Sequence, residues 1–175
     1  VREVAQGTSA MDIAKSISEG LARNVLAAKI DGKVVDAILP ISTDCSLQLL
    51  TWNDQEGKST MWHSSAHIMA EALEFFFPGI KLAIGPPVAN GFYYDVDFMD
   101  YSITEADLEK IEQKMKELAK EKSEFVRQEI SKKEAVSYFE EKGDEYKLEL
   151  LEGLDDVIFT SQDRSIIEEW QPEWH

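Results

Sequence analysis

The sequence predicts an α+β fold in two parts: a small sheet with one helix laid across it, then helices packed on a mainly antiparallel sheet. Three observations predict it. Apolar residues recur at helical spacing in several separate segments. Short β-rich runs flank Asp31-Gly32, and an alternating run follows Asn90-Gly91. Apolar residues make up 43% of 175 residues, enough for a packed core and too many for wholesale disorder. That length suits one ordinary domain or two small ones.

Ser9 followed by Asp12 is a capping-box-like start, and Ile13, Ala14, Ile17 and Leu21 follow at helical spacing. Val25 to Ile30 and Lys33 to Leu39 flank Asp31-Gly32, a strong hairpin signal. Pro40 interrupts the pattern, and "CSLQLLTW" from Cys45 to Trp52 reads as a further strand. Strand, helix, hairpin and strand thus fill residues 1–52. The polar, glycine-bearing "NDQEGKS" of residues 53–59 reads as a linker. A second unit, residues 60–175, opens on "TMWHSSAHIMAEALEFFFPG".

Beyond it Gly85, Pro86 and Pro87 break the chain, and Asn90-Gly91 marks a turn. Phe92, Tyr94, Val96 and Phe98 then alternate with polar neighbours at strand spacing. Thr104 and Asp107 form a capping box, with Ile103 and Leu108 as a hydrophobic staple. Leu108, Ile111, Met115 and Leu118 predict the buried stripe of a long charged helix. Ser131 with Glu134 starts another helix, which Gly143 ends. Glu145 to Leu154 reads as a strand and turn.

The net charge is −16. This argues against a protein whose main task is gripping phosphate backbones, and is compatible with handling one end of an RNA held elsewhere. No apolar run reaches bilayer-spanning length, no basic-then-apolar signal opens the chain, and Cys45 is the single cysteine. These features predict a soluble cytoplasmic protein. A start at Val1 instead of Met predicts processing or trimming.

The histidines pose the chemical question. At 100° per residue, Trp62, Ala66, Met69, Ala70, Leu73, Phe76 and Phe77 form one apolar stripe. His63 and His67 lie on its border, at about 100° and about 140° from Trp62, where side chains can line a cleft. Two imidazoles at i and i+4 share a helix face and fit a shared metal, an acid/base pocket or ordinary packing. The zinc-peptidase pattern places glutamate after the first histidine; here that position is Ser64. Glu71 continues the row as a possible third ligand.

The words "WHSSAHIMAEAL", "IGPPVANGFYYDVD" and "YKLELL", in this order and separation, resemble the N-terminal region of threonyl-tRNA synthetases, most closely the bacterial type. The stretch from Met11 to Trp52 resembles that family's β-grasp leader, the TGS domain, and the resemblance covers residues 1 to about 160. It implies that the second unit is an editing domain, which hydrolyses serine misattached to threonine tRNA. It also implies site roles for His63 and His67, for Tyr94 of "GFYYD" as a substrate contact, and for Lys147 of "Y-K" as a catalytic group. Each role is chemically reasonable. A neutral imidazole orients water or takes its proton, a lysine steadies an oxyanion or the terminal ribose, and a tyrosine offers a ring and a hydroxyl.

By the same resemblance no metal or other cofactor belongs to this region. ATP, magnesium and zinc would sit in the parent's aminoacylation core. The implied partners are the 3′ end of serine-charged threonine tRNA and the remainder of a homodimeric synthetase, with no membrane. The family's pocket is completed by a D-x-C-R-G-P-H type segment, where this chain reads "FTSQDRSIIEEWQPEWH". The second unit is therefore expected to be incomplete at its C-terminal end. His175 lacks the Cys-Arg-Gly-Pro context, and Cys45 lies in the leader. A catalytically silent RNA- or protein-binding module is the alternative, and a zinc hydrolase using His63, His67 and Glu71 is a third.

Overall fold

A computed structural model describes residues 1–121, 123, 125–153, 158–162 and 171–172. The chain divides into two compact units: residues 1–64 with 87–92, and residues 65–86 with 93–175. Among the described residues no helix is long and apolar enough to cross a membrane.

In the first unit, α1 (Ala10–Ile17) starts on the expected capping box. Ser9 Oγ accepts from the Asp12 amide at 3.1 Å, and the Asp12 carboxylate accepts from the Ser9 amide at 3.2 Å. The short α2 (Glu19–Ala22) is capped by Ser18. Strands β1 (Val25–Ile30) and β2 (Lys33–Val35) form the expected hairpin, with Ile30 paired to Lys33. Asp31 and Gly32 both take positive φ, 48° and 88°, as a two-residue turn that follows strand twist requires. β3 (Leu47–Thr51) pairs antiparallel with β1, so the sheet order is β2-β1-β3. The expected strand before α1 is not formed; Ser9 makes only an isolated bridge to Pro40. The helix–sheet core is Ala10, Ala14, Ala22, Val25, Ala28 and Ala37. Alanine removes little apolar area from water, so caps and turn carry a larger share of this unit's stability than they would above a leucine core.

The polar stretch read as a linker is helical from its third residue. α3 spans Gln55–Phe76 and runs from the first unit into the second. Gly57 explains the misreading. A Cβ built there would lie 2.2 Å from the Thr51 carbonyl oxygen, so this glycine lets helix and β3 end approach closely. β5 (Pro87–Val88) and β6 (Gly91–Phe92) form a small hairpin over Ala89-Asn90.

In the second unit, β4 (Lys81–Leu82) pairs with β7 (Val96–Asp97), Lys81 opposite Asp97. The ladder continues through Ala83 N–H to the Asp95 carbonyl and Asp95 N–H to the Ile84 carbonyl, both at 2.9 Å. The single alternating strand expected over residues 92–98 is thus divided between β6 and β7. Its alternation of burial survives: Phe92, Tyr94, Val96 and Phe98 are half-buried and the residues between are exposed.

α4 (Glu105–Glu121) buries Ile111 and Leu118 against Ala70, Ala72, Leu73, Phe77, Ile80 and Leu82. Leu108 is 57% exposed, so the buried stripe begins one turn later than expected, at Ile111. After β8 (Phe125–Glu129), α5 (Lys132–Lys142) carries the expected Ser131/Glu134 box and ends at Gly143, φ 67°. Residues 145–152 form a helix, α6 (Glu145–Glu152), not a strand. Asp144 caps it, accepting from the Lys147 amide at 3.1 Å. The inward residues Lys147 and Leu151 are four apart, a helical spacing that the dense run of leucines disguises. β9 (Ile158–Gln162) pairs with β8 and with β10 (Gln171–Pro172). His175 and most of the last seventeen residues lie outside the described residues.

Candidate functional site

α3 carries His63 and His67 one turn apart. Periodicity put both on the border of an apolar stripe, yet His67 is only 5% exposed, while His63 is half-buried. The small residues around His67 account for this. Ala66, Ala70 and Ala72 are buried on several sides of the helix, so more than one face is covered. A histidine held this deeply has its ring position set by packing and is not free to sweep through solvent.

Lys147 is 4% exposed, and its Nζ donates to the Ala83 carbonyl at 2.8 Å. The lysine stem is covered while the head rests on a backbone acceptor, so the amine has a defined position. Ala83 belongs to the ladder that also positions Tyr94, since the next residue, Asp95, pairs with Ala83 and Ile84. The Tyr94 ring packs over Gly85, where a Cβ would fall 2.5 Å from two ring carbons. It also packs on the cluster that includes Ala70 and Leu73 of α3. The structure therefore brings Tyr94 and Lys147 to one strand pair, and ties Tyr94 to the helix that carries His67.

The metal alternative does not assemble. Among the described residues no three His, Cys, Asp or Glu side chains form a group that could hold a metal ion, so His63, His67 and Glu71 are not a ligand triad here. Spacing along one helix supplies at most two well-placed ligands, and a third must converge from elsewhere.

Several participants were missed from sequence. Ala83 acts through its carbonyl, which no side-chain reading reports. Gly85 read as a chain breaker, whereas its bare Cα is what the Tyr94 ring rests on. Asp97 and Tyr146 lie inside the recognised words but drew no attention. The Tyr146 hydroxyl donates to Asp97 Oδ2 at 3.3 Å, next to the Lys147 anchor. That carboxylate raises the Tyr146 phenol above the usual tyrosine range, chiefly through its charge, so the proton stays on the donor at neutral pH.

Fold and site define an α+β protein that opens with a TGS domain: residues 1–51 match the TGS domain family. About nine-tenths of the chain is similar to threonine–tRNA ligases. Identity is 60% over 160 residues to that of Cytophaga hutchinsonii, covering 91% of this chain and 25% of that protein. It is 48% over 165 residues to that of Flavobacterium johnsoniae, covering 94% and 25%. It is 49% over 154 residues to that of Clostridioides difficile, covering 88% and 24%. Over about nine-tenths of its length the chain is thus similar to threonine–tRNA ligases, with a TGS domain at residues 1–51. It spans about a quarter of the length of the curated relatives it matches.

Proposed function

We propose that this region proofreads for a threonyl-tRNA synthetase, hydrolysing serine from mischarged threonine tRNA. Residues 1–52 serve as the leader, residues 53–59 as the junction and residues from 60 onward as the hydrolytic unit. The whole protein would charge threonine tRNA in an ATP-dependent reaction in the cytoplasm, as a homodimer whose ATP, magnesium and zinc sites lie beyond this region. The observation that carries the reading is the anchored head of buried Lys147 on the Ala83 carbonyl, in the ladder that also carries Tyr94.

In the proposed reaction, water attacks the ester carbonyl carbon of the seryl group. A histidine, His67 or His63, orients that water and takes its proton. Lys147 steadies the charge that develops on the carbonyl oxygen, or the terminal ribose. The carbon–oxygen bond to the ribose then breaks, the proton passes to the ribose oxygen, and serine leaves. Tyr94 offers its ring and hydroxyl to the terminal adenosine or the aminoacyl group.

Release of labelled serine from mischarged threonine tRNA tests this. His67→Ala and Lys147→Ala should each reduce the rate by about 10²-fold or more, the usual scale for a lost proton-transfer or oxyanion group. Unchanged rates in both variants would sink the assignment. Folded wild-type chain that releases no serine would favour the second reading, a silent binding module. That reading draws on the Cys/His segment this chain lacks at the expected place.

A further inference from the structure

Three consecutive residues at the start of α6 reach the β4–β7 ladder. Glu145 lies 4.0 Å from Lys81, the Tyr146 hydroxyl donates to Asp97, and Lys147 donates to the Ala83 carbonyl. Lys81 and Asp97 are cross-strand partners, and Lys81 Nζ stands 5.9 Å from the centre of the Tyr146 ring. The contacts differ in weight. The Glu145 carboxylate is 86% exposed and its pairing is at the distance limit, so it contributes little. The Asp97 carboxylate is fixed independently: its Oδ1 accepts from the Met99 amide at 2.9 Å, which directs Oδ2 to Tyr146. At 3.3 Å and facing solvent the Tyr146–Asp97 bond is long for a hydroxyl donor, and its value is the fixed direction of its acceptor, not its strength.

We propose that Tyr146 and Asp97 are positioning residues that clamp the first turn of α6 to the β4–β7 ladder and so hold Lys147 on the Ala83 carbonyl. A lysine stem has four rotatable bonds and loses much rotamer freedom when held, so the placement of its helix turn matters to the amine. Fixing the preceding residue to the same strand pair limits where the helix turn, and therefore the amine, can go. The catalytic consequence rests on the hydrolytic reading of Lys147 given above; the positional consequence does not.

Two readouts test the clamp on the full chain. The first is acylation of Lys147 by an N-hydroxysuccinimide ester, followed by peptide mass spectrometry. Tyr146→Phe and Asp97→Ala should raise its labelling rate about three- to tenfold, the scale of one lost hydrogen bond, and Asp97→Asn, whose oxygen can stay on the Met99 amide while its NH2 donates to the Tyr146 hydroxyl oxygen, should bring it back toward wild type. The second is serine release, in which Tyr146→Phe and Asp97→Ala should lower kcat by a similar factor with KM within twofold. Unchanged Lys147 labelling in Tyr146→Phe overturns the clamp, whatever the rates. If Lys147→Ala keeps full serine release, the hydrolytic reading fails, and labelling alone then supports or overturns the clamp.

Discussion

Asp107 shows how the partners of one side chain set the pH range over which a helix end is held. Its carboxylate accepts from Thr104 Oγ1 at 2.6 Å, from the Thr104 amide at 3.1 Å and from Lys110 at 2.9 Å. Chiefly through the Thr104 hydroxyl, these bonds lower its pKa from an ordinary 3.8 to about 2. The folded value lies below the unfolded one. Ionised Asp107 therefore favours the start of α4 at any pH above the ordinary value, and that contribution fades as pH falls from 3.8 to about 2. Thr104→Ala removes the largest cause. We expect the Asp107 carboxyl titration, followed by carbon-detected NMR, to move up toward 3.8 and the first turn of α4 to fray at higher pH. A midpoint that stays near 2 would show that the hydroxyl is not responsible. Residue types also made His67 and Lys147 legible as candidates, through their chemistry and the words around them. Their depth was not legible, because burial depends on neighbours that arrive from elsewhere in the chain.

Elements with both a cap and a clear period were readable, as α1 and α5 show with their reciprocal Ser/Asp and Ser/Glu boxes. Elements whose local signals conflict were not. The start of α3 looked like a linker because it is polar and contains Gly57. The competing effects there can be weighed. An alanine in place of glycine within a helix usually gains about 0.5–1 kcal/mol. Forcing a Cβ to 2.2 Å from the Thr51 carbonyl oxygen instead overpacks against backbone, which costs about 1–3 kcal/mol. Backbone cannot swing aside as a side-chain tip can, so the cost wins. Gly57→Ala should lower the urea midpoint without changing the slope of the transition. Equal or greater stability would mean that helix and strand end separate cheaply. α6 failed for a different reason: its leucines satisfy a strand as well as a helix, and the decision fell to the Asp144 cap and the docking of Tyr146 and Lys147.

At the scale of the molecule, each unit has its own buried cluster. Alanines dominate in the first; Leu73, Phe77, Ile111 and Leu118 lead in the second, with a separate Ala135–Phe139–Leu151 group between α5 and α6. Leu50 and Leu151 are the largest side chains with less than 2% exposure among the described residues. Truncating either should cost about 2–5 kcal/mol, the usual range for a core leucine. Amide exchange should report the loss in β1 and β3 for Leu50→Ala, and in α5 and α6 for Leu151→Ala. A cost under about 1 kcal/mol would mean that the site collapses around the missing atoms.

Resemblance to a family's words singled out His63, His67, Tyr94 and Lys147; local chemistry was enough to specify the α+β class, the Asp31-Gly32 hairpin and two reciprocal helix caps. These depend on residues within one helical turn or one hairpin of each other, and such interactions are written in contiguous sequence. Tertiary structure alone decided that His67 is buried, that Lys147 rests on the Ala83 carbonyl, that Gly85 makes room for Tyr94, and that Tyr146 faces Asp97. The physical reason is separation. Lys147 and Ala83 are 64 positions apart, and Tyr146 and Asp97 are 49 apart. Only the folded ladder, with α6 laid on it, brings a backbone carbonyl and a fixed carboxylate to those side chains.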